Sequence, residues 1–191
     1  AEVRKARDKH RLGLVEGIWY LDDLYRFFHL DKRALGSPGF PYGLFYNLRK
    51  EFGERVRVHL VHADREPLMA IMSFLWRDTL MAYYAGAAPG SNREYSVSNF
   101  GYMALQQWAV AQGFKRFDFG RSRKDSGAFD FKRHQGFEPL DLQYRYHLVR
   151  DRRLPSFTPS NPRTRLPREL WSRLPLGVTR RLSNLVAKYL P

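Results

Sequence analysis

The 191-residue sequence contains no cysteine, so disulfide bonds, thiolate nucleophiles and zinc–thiolate centres are excluded within it. It has no run of 18 or more apolar residues, and therefore no segment of the kind that spans a bilayer as a helix. Its six histidines are scattered without a His-Glu-x-x-His motif or a similar spacing, which argues against metal catalysis. The lack of cysteine fits a cytoplasmic enzyme, and we expect a cytoplasmic location, with peripheral contact at the inner membrane as an option.

Acidic residues are scarce beside basic ones, 19 Asp and Glu against 33 Lys and Arg, which gives a net charge of +14. Such an excess favours anionic partners: nucleic acid, anionic lipid or a phosphate-rich substrate. The excess is concentrated at the end, where residues 150–191 hold ten basic and two acidic side chains. This stretch is either a solvated basic tail or a surface that docks on a membrane or on RNA, and charge alone leaves both open.

The length and the 43% hydrophobic content predict one domain with a substantial core. We place this domain at residues 1–150 and a basic, proline-rich tail at 151–191, with short helices at 167–173 and 178–190. Apolar residues of the last helix line one face, which predicts packing against the main domain or, alternatively, an interfacial membrane helix. They are Leu182, Leu185, Val186 and Tyr189. The chain begins at Ala1 with a charged, helix-like stretch, so we expect a fragment or a processed chain.

Hydrophobic periodicity predicts helices over 1–12, 18–33, 42–52, 98–112 and 129–134, with Gly53 as the C-cap of the third. It predicts strands from 56 onwards and over 68–76, 79–85, 117–119 and 142–149, and a small-residue loop over 86–91. The order is a three-stranded meander, a helix, a strand, a short helix and a last strand, preceded by helices. This order is typical of an α+β fold with a mostly antiparallel sheet, and several such folds share it.

Two adjacent stretches carry the most specific pattern. Phe117–Ser122 reads Phe-Asp-Phe-Gly-Arg-Ser, and after Gly127 the stretch Phe129–Pro139 reads Phe-Asp-Phe-Lys-Arg-His-Gln-Gly-Phe-Glu-Pro. The pair resembles the C-terminal signature of the Fem-type (FemAB-related) aminoacyl- and acyltransferases: a strand ending in D-F-G-R, a glycine-containing loop, then F-K-x-x-x-G-F-x-P. A weaker match, from Leu170 to Leu176, resembles the FemAB-like proteins found with exosortase (PEP-CTERM) and exopolysaccharide loci. The resemblance covers most of the chain.

This resemblance implies a GNAT-like acyl-CoA N-acyltransferase fold, of which this chain is the second of two tandem domains, with an N-terminal GNAT-like half missing. It implies an acyltransferase that moves an acyl or aminoacyl group onto an amine of a cell-wall or exopolysaccharide precursor, lipid-linked or polysaccharide in nature. No cofactor is implied beyond the donor. In the Fem branch the donor is aminoacyl-tRNA and the acceptor is a peptidoglycan precursor peptide. In GNAT enzymes the donor is acyl-CoA. An acyl carrier protein is a further option for the donor.

Two other functions remain open beside this one. The first is a non-catalytic, basic RNA- or membrane-docking module on a degenerate GNAT scaffold, because a fold does not guarantee activity. The second is an N-acyltransferase that depends on CoA or on a carrier protein.

Amine acylation needs a base for the amine, a stabiliser for the tetrahedral oxyanion and a grip on the donor's phosphates. Lys132 matches the lysine of the F-K motif, which the resemblance places near the donor and the forming intermediate; from charge pattern alone it is a surface lysine. Asp118 is the second catalytic candidate, as a base or as a partner that orients Arg121, unless it is a structural hydrogen-bonding carboxylate. Arg121 follows the strand end, where a guanidinium binds phosphate or carboxylate in bidentate fashion, unless it pairs with Asp118 or Asp125.

Five further side chains are candidate substrate contacts: Ser122, Phe131, Tyr84, Asn92 and Arg93. Phe131 walls a substrate channel in this interpretation, the alternative being a core residue, and for Ser122 the alternative is a plain loop residue. The loop Gly86–Gly90 stands where a GNAT enzyme binds the CoA pyrophosphate through backbone N–H groups. Its sequence departs from the usual Arg/Gln-x-x-Gly-x-Gly/Ala pattern, which weakens acyl-CoA as the donor.

Overall fold

Five strands form one mixed sheet in the computed structural model, which describes residues 10–149 and 165–186. They are β1 (Leu12–Glu16), β2 (Val56–Ala63), β3 (Glu66–Trp76), β4 (Thr79–Ala87) and β5 (Arg116–Asp118). The strands lie in chain order; β1 to β4 pair antiparallel, and β5 pairs parallel to β4. The predicted α+β fold with a mostly antiparallel sheet is confirmed.

The described α-helices follow the predicted order along the chain, with an additional short helix at Ser91–Tyr95 that the periodicity does not predict. They are α1 (Leu21–Ala34), α2 (Tyr42–Phe52), α3 (Ser91–Tyr95), α4 (Val97–Ala111), α5 (Gly127–His134), α6 (Arg165–Arg173) and α7 (Leu176–Val186). Gly53 ends α2 with φ 54°, in the left-handed region that glycine tolerates, so the predicted C-cap is confirmed. Ser126 begins α5 as its N-cap, because its Oγ accepts a hydrogen bond from the backbone N of Phe129 at 3.3 Å.

The helices cover both faces of the sheet. On one face α1 and α2 bury Leu24, Phe27 and Phe45 against β2 and β3, and on the other face α4 buries Leu105. Because both faces of β3 are covered, the run Leu68–Met72 is buried at every position, as its unbroken apolar sequence predicts. Each large side chain buried in this way stabilises the fold by about 1.5–3 kcal/mol.

The predicted last strand over 142–149 is wrong. Residues 142–148 have no regular secondary structure, and the large side chains there stay exposed: Leu142 by 61%, Tyr144 by 57% and Tyr146 by 66%. Alternation of apolar residues indicates which side chains share a face, but a strand forms only where another strand lies alongside to pair with its backbone. Among the described residues, no strand pairs with this segment.

Strand β1 is an element that the sequence pattern does not reveal. It holds only five residues, with Gly13 interrupting the apolar run, and it pairs with β2 from Leu12 opposite Ala63 to Glu16 opposite His59. Its partner lies more than forty residues away in sequence, so local periodicity carries little signal for it. The predicted helix over 1–12 falls mostly outside the described residues, and its last residue, Leu12, begins β1.

Helix α1 ends in a turn that allows α6 to pack closely. The backbone N of Gly36 donates to the carbonyl of Arg33 and that of Ser37 to the carbonyl of Lys32, each at 2.9 Å, which is a Schellman motif. Gly36 has φ 67°, and a Cβ at this position would lie 2.5 Å from the carbonyl oxygen of Arg168. Both the backbone conformation and the approach of α6 therefore require glycine here.

Two contacts hold the tail helices on the domain. Arg168 donates from Nη2 to the carbonyl of Leu35 at 2.9 Å, and Ser183 Oγ accepts from the backbone N of Gly39 at 3.1 Å. Thr179 and Ser183, one turn apart on α7, are both buried. The predicted helix over 178–190 thus packs on the domain in its described part, but through the small polar side chains and through Arg180, whose guanidinium lies 5.0 Å from the centre of the Tyr25 ring. Among the described residues, no helix is long and apolar enough to cross a lipid bilayer.

A buried histidine makes the stability of the fold depend on pH. His59 on β2 is 0% exposed, its ring lies 4.6 Å from that of Trp108, and neither ring nitrogen has a hydrogen-bond partner among the described residues. Burial, with the nearby charge of Arg57, lowers its pKa from 6.5 to about 4. The unfolded chain therefore takes up this proton first, and stability falls as the pH drops from about 6.5 towards 4.

Between about pH 6.5 and pH 4 the protonation of His59 should cost the wild type unfolding free energy, about 3 kcal/mol for a pKa shift of this size. We expect His59→Leu to abolish this loss. Urea unfolding of both proteins between about pH 7 and pH 4 measures it, because all other titrating groups are common to both and cancel in the difference. The exposed residue His134 gives the control, His134→Leu, which should follow the wild-type curve. Parallel curves for wild type and His59→Leu would contradict the assignment.

Candidate active site

A cleft opens where β4 and β5 stop pairing. The two parallel strands pair only over Thr79–Met81 and Arg116–Asp118, and β4 then continues to Ala87 without β5 beside it. In the same region Ser73 pairs with Ala82 but Met72 pairs with Tyr84, so Tyr83 is an extra, bulged residue. A bulge bends its strand, and here the bend lies at the point where the neighbouring strand ends. The cleft therefore lies at the carboxyl ends of two adjacent parallel strands.

A pocket of about 220 Å³ lies on the α4 side of this cleft. Its walls come from the start of α4, the end of β5 and the start of α5, and they are Ser98, Tyr102, Phe119, Ala128, Phe131 and Lys132. Sites for drug-sized ligands are typically 300–1,000 Å³. This pocket thus suits an acyl group or a small side chain rather than an entire donor. Phe131 lines it, as the sequence predicts for a channel wall.

Lys132 points at the backbone of the turn that follows β5. Its Nζ lies 2.6 Å from the carbonyl oxygen of Phe119, 3.2 Å from that of Gly120 and 3.3 Å from that of Arg121. An ammonium has three N–H donors, and these three carbonyls can occupy all of them. Partial burial lowers the pKa of Lys132, and the charge of Asp118 opposes that shift. The lysine of the motif therefore holds the D-F-G-R turn in shape at the edge of the pocket.

We expect Lys132→Met to fold, to lose about 1–2 kcal/mol of unfolding free energy through the lost charged hydrogen bonds, and to transfer at least about tenfold more slowly. The rate should fall because the turn loses its shape and a positive charge leaves the cleft. Denaturant unfolding and initial transfer rates measure the two effects. Lys124→Met, on an exposed lysine of the same loop that pairs with Asp141 at 2.8 Å, is the control and should change little. Equal turnover in Lys132→Met and wild type would remove Lys132 from the mechanism.

The other charged residues of the motif have different surroundings. Asp118 is exposed, and its Oδ1 accepts from the backbone N of Gly120 at 2.6 Å, which closes the turn. The guanidinium of Arg121 donates to Tyr144 Oη at 3.4 Å, and this hydrogen bond, with the nearby Tyr83, raises its pKa. The ring of Tyr83 contacts Phe74, on the α1–α2 face of the sheet. Arg121 thus lies in the turn that Lys132 contacts, but the two side chains have different surroundings.

Asp31, at the end of α1, is the acidic group of the cleft, and sequence analysis did not single it out. Its Oδ2 accepts from the backbone N of Ala87 at 3.2 Å, at the end of β4. Asp31 as a whole is exposed, yet partial desolvation of its carboxylate raises its pKa to about 6, against the opposing effects of the Ala87 hydrogen bond and the charge of Lys32. A carboxylate with a pKa near neutrality is suited to take up a proton during catalysis.

Tyr102 lines the pocket and is influenced by the charge of Asp31. Burial raises the pKa of Tyr102 to about 12, and the negative charge of Asp31 adds to the shift. The phenol is therefore protonated at neutral pH. Its ring packs 4.6 Å from that of Phe119 and 5.7 Å from that of Phe131. The cleft thus brings together a proton acceptor, a proton donor and a pocket with aromatic walls.

A model of the acetyltransferase (GNAT) domain family matches residues 2–133, more than two thirds of the chain. The chain belongs to this family. It is accordingly an acyltransferase, and its sheet and flanking helices have the GNAT fold that the resemblance implied. A search of curated proteins found none that matches the sequence.

Solved structures similar to this GNAT domain agree on the fold. A possible acetyltransferase from Clostridium difficile 630 has a TM-score of 0.57 at 13% identity, covering 73% of this chain and 99% of that one. An aminoglycoside acetyltransferase from an uncultured soil metagenomic sample, solved with sisomicin, has a TM-score of 0.55 at 16% identity. The match covers 74% of this chain and 99% of that one. An aminoglycoside N-acetyltransferase solved with CoA has a TM-score of 0.54 at 15% identity. The match covers 72% of this chain and 95% of that one.

The loop before α4 differs from the pattern expected of a GNAT pyrophosphate site. Gly86 and Ala87 belong to β4, and the short helix α3 follows the loop from Ser91. Asn92 accepts through Oδ1 from the backbone N of Ser98 at 2.9 Å, so one of the first amides of α4 is already paired within the protein. The amide is thereby less available to a phosphate oxygen.

The remaining predicted contacts lie at different distances from the pocket. Arg93 is exposed on α3, and the Ser122 hydroxyl is buried without a hydrogen-bond partner among the described residues. Tyr84 packs with Phe28 and Phe45 in the core on the α1–α2 face, away from the pocket walls. The structure therefore places Lys132 and Phe131 in the pocket wall and Asp118 in the adjoining turn, but it does not bring Tyr84 there.

The sequence gives only weak signals for Asp31 and Tyr102. Asp31 lies among charged residues at the end of α1, so it does not stand out from the polar side of that helix. Tyr102 lies on the apolar face of α4, so it does not stand out from the core residues there. The one indication is Gly86, which allows β4 to touch the backbone of α1 and so places Asp31 beside Ala87.

Proposed function

We propose that this GNAT domain transfers an acyl or aminoacyl group onto an amine of a cell-wall or exopolysaccharide precursor. The observation that carries the proposal is the Asp31 carboxylate, anchored by the backbone N of Ala87 at the end of β4, whose charge acts on Tyr102 in the pocket wall. The Fem-like D-F-G-R and F-K motifs support the aminoacyl branch, since they form the turn and the helix that wall this pocket. The tandem arrangement known from Fem-type enzymes is part of the same proposal.

The chemistry follows from the positions of these groups. The acceptor amine, bound next to Asp31, loses a proton to that carboxylate and attacks the carbonyl carbon of the donor. A C–N bond forms, and the bond from the carbonyl carbon to the leaving oxygen or sulfur breaks. Tyr102 donates its proton to that leaving atom. The acyl group or aminoacyl side chain lies in the pocket between Phe119 and Phe131.

The donor is the point at which two functions diverge. Aminoacyl-tRNA is favoured by the net charge of +14 and by the pairing of Asn92 with an amide of α4, which leaves less room for a CoA pyrophosphate. Acyl-CoA is favoured by membership of the GNAT family and by the similar N-acetyltransferase solved with CoA. The second candidate function is therefore a CoA-dependent N-acetyltransferase; an acyl carrier protein is a third possible donor.

A donor comparison tests the proposal. The protein is incubated with an amine-bearing, lipid-linked precursor and either aminoacyl-tRNA, acyl carrier protein or acetyl-CoA, and amide products are identified by mass spectrometry. We expect product with aminoacyl-tRNA. Product with acetyl-CoA alone supports the second candidate. No product with any donor, together with RNA binding that weakens steeply with salt, supports the non-catalytic docking module and overturns the proposal.

A further inference from the structure

Helix α7 has its apolar side outward. Thr179 and Ser183, four residues apart, are buried at 1% and 0% exposure, whereas Val178, Leu182 and Leu185 stay exposed at 41%, 36% and 66%. The exposed three are spaced as i, i+4 and i+7, so they form one stripe along the helix. A surface helix normally buries such a stripe, and here the protein buries the small polar one instead.

Helix α6 repeats the arrangement. Leu166 and Leu170, one turn apart, are 71% and 63% exposed, while Arg168 and Trp171 on the other side are half-buried against the domain. Arg168 is directed inward to the carbonyl of Leu35. The orientation of both helices is thus set by specific polar contacts with α1 and the residues after it. The leucines face outward because the opposite side of each helix packs on the domain.

The charge around these stripes has one sign. Residues 165–186 contain five arginines and one acidic residue, Glu169, which pairs with Arg165 at 2.8 Å. Arg173 and Arg181 are exposed on the outward sides, next to the leucines. Exposed aliphatic side chains bordered by arginine are characteristic of helices that lie in the interface of an anionic bilayer. Each basic residue near such a surface strengthens the binding.

We propose that the outward side of α6 and α7 docks on an anionic lipid bilayer. Arg168 holds the end of α1 at Leu35, and Asp31 lies four residues earlier on that helix, about 6 Å along its axis. The docked helices therefore contact the same end of α1 that carries Asp31. An acceptor amine on the headgroup of a lipid-linked precursor would reach Asp31 from the bilayer; this last step rests on the proposed function, and the docking does not.

Vesicle co-sedimentation of the whole chain tests the docking. We compare phosphatidylcholine vesicles with equimolar phosphatidylcholine–phosphatidylglycerol vesicles, using the wild type and the triple variant Leu170→Glu, Leu182→Glu, Leu185→Glu. The matched control carries the same charge change on exposed apolar residues elsewhere, Trp19→Glu, Val110→Glu, Leu140→Glu. Thermal unfolding confirms that each variant is folded.

We expect the wild type to bind the anionic vesicles, and the outward triple variant to bind at least about tenfold more weakly than the control, because it loses apolar burial as well as charge. Equal binding by the two triple variants, or no wild-type binding, overturns the proposal. A wild-type dimer that only the outward variant dissociates, without vesicle binding, assigns the surface to a second copy and also overturns it. Binding without any transfer activity keeps the docking and rejects the proposed function.

Discussion

Asp31→Asn is expected to lower kcat/KM for amide formation by about 100-fold or more while leaving the fold intact. Asparagine keeps the size of the side chain and an oxygen that can accept from the backbone N of Ala87. It cannot take up the proton of the amine. Because burial raises the pKa of Asp31 in the folded protein, removing its charge should leave the melting temperature unchanged or raise it. A loss of rate without a loss of stability separates a catalytic carboxylate from a structural one.

The pH dependence of the transfer rate is a second test of Asp31 as the base. With a pKa of about 6, Asp31 is ionised above that pH, so the wild-type rate should rise through about pH 6 and then level off. In Asp31→Asn this rise should disappear. Asp23→Asn, on the same helix and in a surface ion pair with Arg26 at 3.3 Å, is the matched control and should keep both rate and profile. A wild-type rate and an unchanged rise in Asp31→Asn would exclude Asp31 as the base.

Gly86→Ala is expected to cost about 3 kcal/mol of unfolding free energy, at the upper end of the cost of overpacking a core. A Cβ on Gly86 would overlap backbone atoms of Phe27 and Phe28 on α1, and backbone cannot move aside as a flexible side chain can. The helix must shift away from β4, which separates Asp31 from Ala87. Transfer should therefore fall together with stability, in contrast to Asp31→Asn.

Denaturant midpoints measure this effect, and Gly43 provides the control. Gly43 lies within α2 with open space around it, so Gly43→Ala should be neutral or stabilise by up to about 1 kcal/mol through helix propensity. If Gly86→Ala and Gly43→Ala had the same midpoint, the close approach of α1 and β4 would not be needed for the fold.

Prediction from sequence succeeded where neighbouring residues alone determine the local structure. The helix at 42–52 with its C-cap Gly53, the unbroken apolar strand that became β3 and the loop from Gly120 to Ser126 all depend on neighbouring residues. The D-F-G-R and F-K motifs also located one wall of the pocket. The segment 142–149 shows the limit, because its alternation is strand-like but no partner strand lies beside it in the described residues.

Long-range contacts decided the rest. The sequence by itself determined most of the helices and strands, and the position of the tight turn that follows Asp118. Only the tertiary structure decided that Lys132 donates to three carbonyls, that Asp31 accepts from the backbone N of Ala87, and that α7 buries Thr179 and Ser183 instead of its leucines. The physical reason is that periodicity encodes the character of each face of an element, whereas the packing of distant elements determines which face is covered and which polar groups meet.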